Sequence, residues 1–262
     1  MPVRAFKEIR YEEESGLAAV TLSRPERLNA LGMNLAEEIC ALSRELAGEK
    51  DVRAVLLTGE GRAFCTGRDL KESAAHTKEQ ADRYQLIGME CVTLWEALPM
   101  PTVAAINGPC FGFGMEIALA CDIRLAAEDA TLCFPECALG IFPGAGGTVR
   151  LPRAIPPGLA MELIFTAKRL DGREAERIGF VSRAHPKERL MAEARSLAGQ
   201  IRDNGPLGVR AAKKVIRHAA EMPLPQAIEF SNANRLPLNY TQDFAEALAA
   251  FREKRKPVFR GE

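Results

Sequence analysis

Two glutamates stand out as candidates for proton chemistry. Glu116 lies in the run GMEIALACDI, from Gly114 to Ile123, where nearly every neighbour is apolar. A carboxylate there must be paired, hydrogen-bonded or shifted toward its neutral form. The plainer reading is a first-turn acid that complements the helix dipole, worth about 0.3–1 kcal/mol. Glu136 follows Pro135 at the end of the apolar run ATLCF, and taken alone it reads equally well as a solvated loop acid. Taken together, the two carboxylates could face a single water and act on it as base and acid.

Two glycine-rich turns could hold a substrate beside them. The first, Ala63-Phe-Cys-Thr-Gly-Arg-Asp-Leu-Lys71, follows the apolar run RAVLLT; the second, Asn107-Gly-Pro-Cys-Phe-Gly-Phe-Gly-Met-Glu116, follows TVAAI. Glycines after buried strands let backbone N–H groups point into a cavity. At a helix start those donors also feel the positive end of the dipole. Either turn alone reads as a tight turn; side by side they could bind the developing enolate oxygen of a thioester. A third loop, Pro143-Gly-Ala-Gly-Gly-Thr148, could complete the cavity or hold a phosphate at a helix N-terminus.

Other chemistries find little support. The sequence lacks Gly-x-Ser-x-Gly, a phosphate-binding P-loop and His-Glu-x-x-His. His76, His185 and His218 sit in polar or helical settings that suit surface or capping roles. Gly112-Phe-Gly114 lacks the third glycine of a dinucleotide fingerprint. Seven cysteines without a Cys-x-x-Cys pair argue against zinc or a disulfide framework and for buried free thiols in a reducing compartment. No metal site is expected.

These residues need a scaffold, and the patterning supplies one. Alternation predicts strands over Phe6–Glu13 and Leu17–Leu22. Asn34 with Glu37 reads as a capping box opening a helix toward Gly48. Arg53–Thr58 is a buried strand, and Thr77 with Gln80 caps a long helix through Trp95. Thr102–Ile106 is another strand, followed by a short apolar helix from about Met115. Strands follow near Asp122–Ala126 and Ala130–Cys133. From Leu159 to Phe251 helical periodicity dominates, broken by a short strand at Phe180–Arg183 and by prolines. Strands alternating with helices, then helices alone, predict an α/β core with a helical C-terminal portion.

Length and charge agree with one such unit. A chain of 262 residues suits one core with a small appendage. Lys plus Arg and Asp plus Glu both total 35, which argues against a general nucleic-acid binder. The N-terminus lacks an apolar signal core and no apolar stretch reaches a membrane span, so a soluble, cytoplasmic protein with no membrane partner is expected.

The segments LLTGEGRAFCTGRDLKE, AAINGPCFGFGMEIALACDIRLAAEDA, FPECALGIFPGAGGTVRLPR and FREKRKPVF together resemble the enoyl-CoA hydratase/isomerase (crotonase) family. The likeness runs from about Tyr11 to Phe259, in the family's order and spacing. It implies a crotonase-like α/β spiral of strand–strand–helix turns over residues 1–200. It also implies a helical oligomerisation region over 201–262 that builds a homotrimer or a dimer of trimers. The implied substrate is an acyl-CoA thioester, with no cofactor beyond the coenzyme A it carries. By motif position, its carbonyl oxygen is held by the backbone amides of Arg68 and Phe113. Glu116 and Glu136 match the two acids of the hydratase branch, and Gly144 matches the residue whose amide helps hold the catalytic water. For coenzyme A, the Thr66–Arg68 backbone resembles the adenine site, with Arg27 and Lys71 near the phosphates. Lys254 or Lys256 would reach it within the subunit or from a neighbour.

The resemblance leaves three outcomes. Retention of both acids selects hydration of a 2-enoyl-CoA. Members that only shift the double bond generally rely on the second acid, so an isomerase is the alternative. A non-catalytic CoA or RNA binder is the third, which the neutral charge and intact acid pair disfavour. Phe113 stands where the family often has a small residue, and its ring either narrows the acyl pocket or packs away from it.

Overall fold

The computed structural model describes residues 6–262. Its main sheet has six strands: β1 (Ile9–Glu14), β2 (Leu17–Leu22), β3 (Ala54–Gly59), β4 (Thr102–Ile106), β6 (Ile123–Ala127) and β9 (Arg183–His185), adjacent in that order. β1 and β2 form an antiparallel hairpin, and every other pairing is parallel. β3 and β4 are buried almost throughout. Their unbroken apolar sequence is what strands covered on both faces require.

A second, smaller sheet pairs β5 (Cys110–Phe111), β7 (Thr131–Cys133) and β8 (Leu170–Asp171). Single bridges from Leu31 to Arg68 and from Cys65 to Cys110 extend it toward the N-terminus. Each turn of the chain thus lays one segment in the main sheet and one in the small sheet, then departs in a helix. The departing helices are α1 (Met33–Gly48), the short α2 (Leu70–Ser73) with α3 (Lys78–Glu96), and α4 (Phe113–Ala120). This is the predicted spiral of strand–strand–helix turns.

After β7 come α5 (Gly147–Ala154), α6 (Pro157–Thr166) and α7 (Gly172–Arg177). α8 (Lys187–Arg202) packs across β3, β4 and β6 and closes the core. The chain then ends in α9 (Pro206–Ala219), α10 (Leu224–Arg235) and α11 (Gln242–Glu253). α9 and α10 pack on each other and leave Ile216, Leu224 and Ile228 on the surface, as α11 leaves Phe251.

Several predicted boundaries move for local reasons. The first strand starts at Ile9, because the Lys7 and Glu8 amides donate to the Glu38 carboxylate rather than to a ladder. The Asn34–Glu37 capping box does not form. Gly32 occupies the cap, the Met33 amide donates to Glu72 Oε1 (2.8 Å), and the Asn34 side chain donates to Glu38. The box at Thr77 and Gln80 does form and opens α3. The strand expected over Phe180–Arg183 lies instead at Arg183–His185, since Phe180 is buried just after the left-handed turn at Gly179. All seven cysteines are free thiols and six are buried. Among the described residues, no helix is long and apolar enough to cross a membrane.

Candidate active site

The C-terminal ends of β3 and β4 lead into the two glycine turns. Leu31 donates to the Gly67 carbonyl and accepts from the Asp69 amide, both at 2.8 Å. The intervening Arg68 amide therefore faces the opposite side, away from Leu31. Gly67 adopts φ +93°, and a Cβ there would stand 3.1 Å from the Phe111 carbonyl oxygen. Gly112 adopts φ +48°, and its missing Cβ would meet Glu136 Oε1 at 2.5 Å. Both positions favour glycine, for conformation and for space. Each glycine immediately precedes one of the two candidate oxygen-binding amides.

Phe113 is the first residue of α4, so its N–H has no partner within the helix. Neither the Arg68 nor the Phe113 amide has a backbone acceptor among the described residues. Both residues line one cavity, together with Thr66, Glu116, Glu136 and Gly144. The Phe113 ring is itself buried in the core.

Glu116 sits in the first turn of α4, 3% exposed. Its Oε1 accepts from the Ala145 amide (2.7 Å) and the Gly147 amide (2.8 Å), both in the third glycine loop. Burial pushes its pKa up to about 6, against the opposing pull of those amides and of Arg150. Glu136 opens a single 3₁₀ turn, Glu136–Leu139, between Pro135 and a left-handed Gly140. Its Oε2 is buried without a protein partner. Burial raises its pKa to about 7, opposed by a backbone hydrogen bond and reinforced by the charge of Glu116. The two carboxyls therefore share a cavity and sense each other's charge.

The third loop serves Glu116 through two of its backbone amides. The amides on Glu116 belong to Ala145 and Gly147, while Gly144 lies on the cavity wall against the Gln85 side chain. Arg150 braces this loop. It donates to the Ala145 carbonyl (3.1 Å) and lies where a Cβ on Gly146 would be. Glu96, at the end of α3, holds Arg150 through Nε at 3.0 Å. Glu96 also accepts from Arg217 of α9 (2.8 Å). Sequence reading missed this chain, because its members lie far apart in the sequence and no local pattern joins them.

The expected CoA contacts divide into two groups. The exposed Arg27 ends a short turn next to Thr66, whose amide donates to the Leu28 carbonyl (3.2 Å). The exposed Lys71 lies in α2 beside the cavity-lining Leu70. Thus Thr66 and Arg68 line the cavity, with Arg27 and Lys71 on adjoining segments. Lys254 and Lys256 lie elsewhere. Their tail runs past Phe259, whose carbonyl accepts from Arg53 at the start of β3, and β3 meets the cavity at its other end. The α3 wall comprises Tyr84, Gln85 and Gly88. His76, read as a surface or capping residue, is instead largely buried, with its ring edge-on to Tyr84 at 5.2 Å.

Two acids with raised pKa values thus share a cavity with two unclaimed amides, carried on a spiral of strand–strand–helix turns. The family model for enoyl-CoA hydratase/isomerase matches residues 12–262. YngF of Bacillus subtilis, described as an enoyl-CoA hydratase/isomerase, is 41% identical over 94% of this chain and 95% of its own. The short-chain-enoyl-CoA hydratase of Clostridium acetobutylicum is 37% identical, with 94% of each chain covered. The crystal structure of an enoyl-CoA hydratase from Bacillus anthracis superimposes with a TM-score of 0.96 at 38% identity, covering 98% of this chain and all of its own. The chain belongs to the enoyl-CoA hydratase/isomerase family.

Proposed function

We propose that this enzyme adds water across the 2,3 double bond of a 2-enoyl-CoA thioester, with Glu116 and Glu136 as its acid–base pair. The observation that carries this reading is the pair itself: two buried carboxyls in one cavity, with pKa values raised to about 6 and 7. Near neutral pH such a pair offers an ionised base together with a retained proton. As water attacks C3, charge builds on the thioester oxygen, and the Arg68 and Phe113 amides would receive it. Loss of one such donor typically costs about 10²–10³ in rate. One glutamate takes the proton from water, and a proton is delivered to C2 on the same face. The coenzyme A arrives with the substrate, and no other cofactor enters the scheme.

Arg27, Thr66 and Lys71 would meet the coenzyme A at the opening. The exposed apolar residues of α9–α11 support assembly as a homotrimer or a dimer of trimers, since patches of this kind mark interfaces. Lys254 and Lys256 would then contribute only from a neighbouring subunit.

The test follows the absorbance of the conjugated enoyl thioester of 2-butenoyl-CoA. Wild type is expected to remove it, and Glu116→Gln or Glu136→Gln to slow the loss by about 10²–10⁴-fold. A fully active Glu116→Gln variant would instead favour double-bond isomerisation through Glu136 alone.

A further inference from the structure

We infer that the cavity selects an acyl group ending in a carboxylate, bound by the guanidinium of Arg68. The inference rests on the reading of this cavity as an acyl-CoA site and goes beyond it to the substrate class. Arg68 is the only Lys or Arg among the described residues that line the cavity. Its side chain lies over the Tyr84 ring, with Cζ 4.0 Å from the centroid. Nε donates to Ser73 Oγ (3.1 Å) and Nη2 to the Ala81 carbonyl (3.3 Å). A guanidinium carries five N–H donors, so donors remain beyond these two bonds and a hydrogen bond to the Tyr84 side chain.

No carboxylate of the described residues pairs with it. The two acids nearest in sequence are engaged elsewhere. Asp69 accepts from the Lys71 and Glu72 amides and pairs with Arg24, while Glu72 holds the Met33 amide. Arg68 is only partly exposed, and burial lowers its pKa. A desolvated cation without an anion is unfavourable, and stacking on Tyr84 offsets only part of that. A substrate carboxylate would supply the missing anion, in the planar geometry the guanidinium matches best.

The same residue supplies the candidate oxyanion amide and the guanidinium. Carbonyl and carboxylate would therefore be held no further apart than one arginine side chain, which restricts the acyl group to a few carbons beyond the double bond. Glu116 and Glu136 would repel such a carboxylate if it lay near them, so it must sit at the Arg68 end.

Binding of the saturated esters glutaryl-CoA and butyryl-CoA, measured by calorimetry, tests this without any turnover. Wild type is expected to bind glutaryl-CoA about ten- to a hundredfold more tightly, the range of a charge-assisted hydrogen bond. Arg68→Met is expected to bring that ratio close to one, and Arg68→Lys to retain part of it. Equal affinities in wild type would overturn the inference. So would an unchanged ratio in Arg68→Met with both ligands weakened, which would assign the guanidinium to coenzyme A. If Arg68→Met does not fold, the wild-type and Arg68→Lys ratios decide. Failure of hydration is read separately, from the absorbance of 2-butenoyl-CoA.

Discussion

At the scale of single residues, two carboxyls hold protons more tightly in the folded chain than outside it. Their pKa values stand at about 6 and 7, against an ordinary 4.5. As pH rises from about 4.5 to 7, the unfolded chain releases these protons first. The folded state then binds more protons, and stability falls through that window. Glu116→Gln is therefore expected to raise the thermal midpoint relative to wild type at pH 8 and not at pH 4.5, as read by thermal unfolding at both. The glutamine oxygen can still accept from Ala145 and Gly147. Activity should follow the same two groups. Below both values no base is ionised, and above both no acid retains its proton. A bell-shaped kcat/KM profile is expected, with limbs near pH 6 and 7. In Glu116→Gln the residual activity should titrate below 7, because the charge that raises Glu136 is gone. Glu116 was legible in the sequence as an acid among apolar neighbours. Glu136 was not separable from a solvated loop acid, since its burial comes from segments that the fold brings over it. Arg68 was read for its amide alone, as its contact with Tyr84 depends on how α3 packs.

At the scale of elements, two glycine turns and one braced loop set the geometry. Gly112→Ala would place a methyl group against the Glu136 carboxyl at a positive φ. Backbone strain of this kind costs about 1–3 kcal/mol, and displacement of the neighbouring Phe113 amide should lower kcat by about 10²-fold. Paired unfolding and turnover assays check both effects. Arg150→Gln loosens the loop that holds Glu116 and removes a positive charge that lowers its pKa. The low-pH limb of the rate profile should move above 6, and kcat should fall by up to about 10²-fold. An unmoved limb would mean that Arg150 is structural only. The strands β2 and β4 and the helix α3 were legible because alternation, unbroken apolar runs and the Thr77 box are local signals. The start of α1 was misread because its cap comes from Glu72, across the fold. The Arg150–Glu96–Arg217 chain left no trace in the sequence, being assembled from three separate helices.

At the scale of the molecule, the spiral buries the two carboxyls, and the last three helices leave several large apolar side chains on the surface. Phe251 is 83% exposed and Ile228 52%. Sedimentation is expected to find a trimer or hexamer, and Ile228→Asp combined with Phe251→Asp to shift it toward smaller species; a monomeric wild type would contradict this. The contribution proposed for Lys254 and Lys256 belongs to such an assembly. The spiral architecture was legible through motif register along nearly the whole chain, whereas the acyl group it accepts depends on side chains that converge only after folding. The most direct test of the acid pair is mass analysis of 2-butenoyl-CoA incubated with wild type in ¹⁸O-water. The expected product is 3-hydroxybutyryl-CoA carrying one labelled oxygen, formed orders of magnitude more slowly by Glu116→Gln and Glu136→Gln. Unchanged substrate mass with wild type, or equal labelling by the glutamine variants at the wild-type rate, would contradict it.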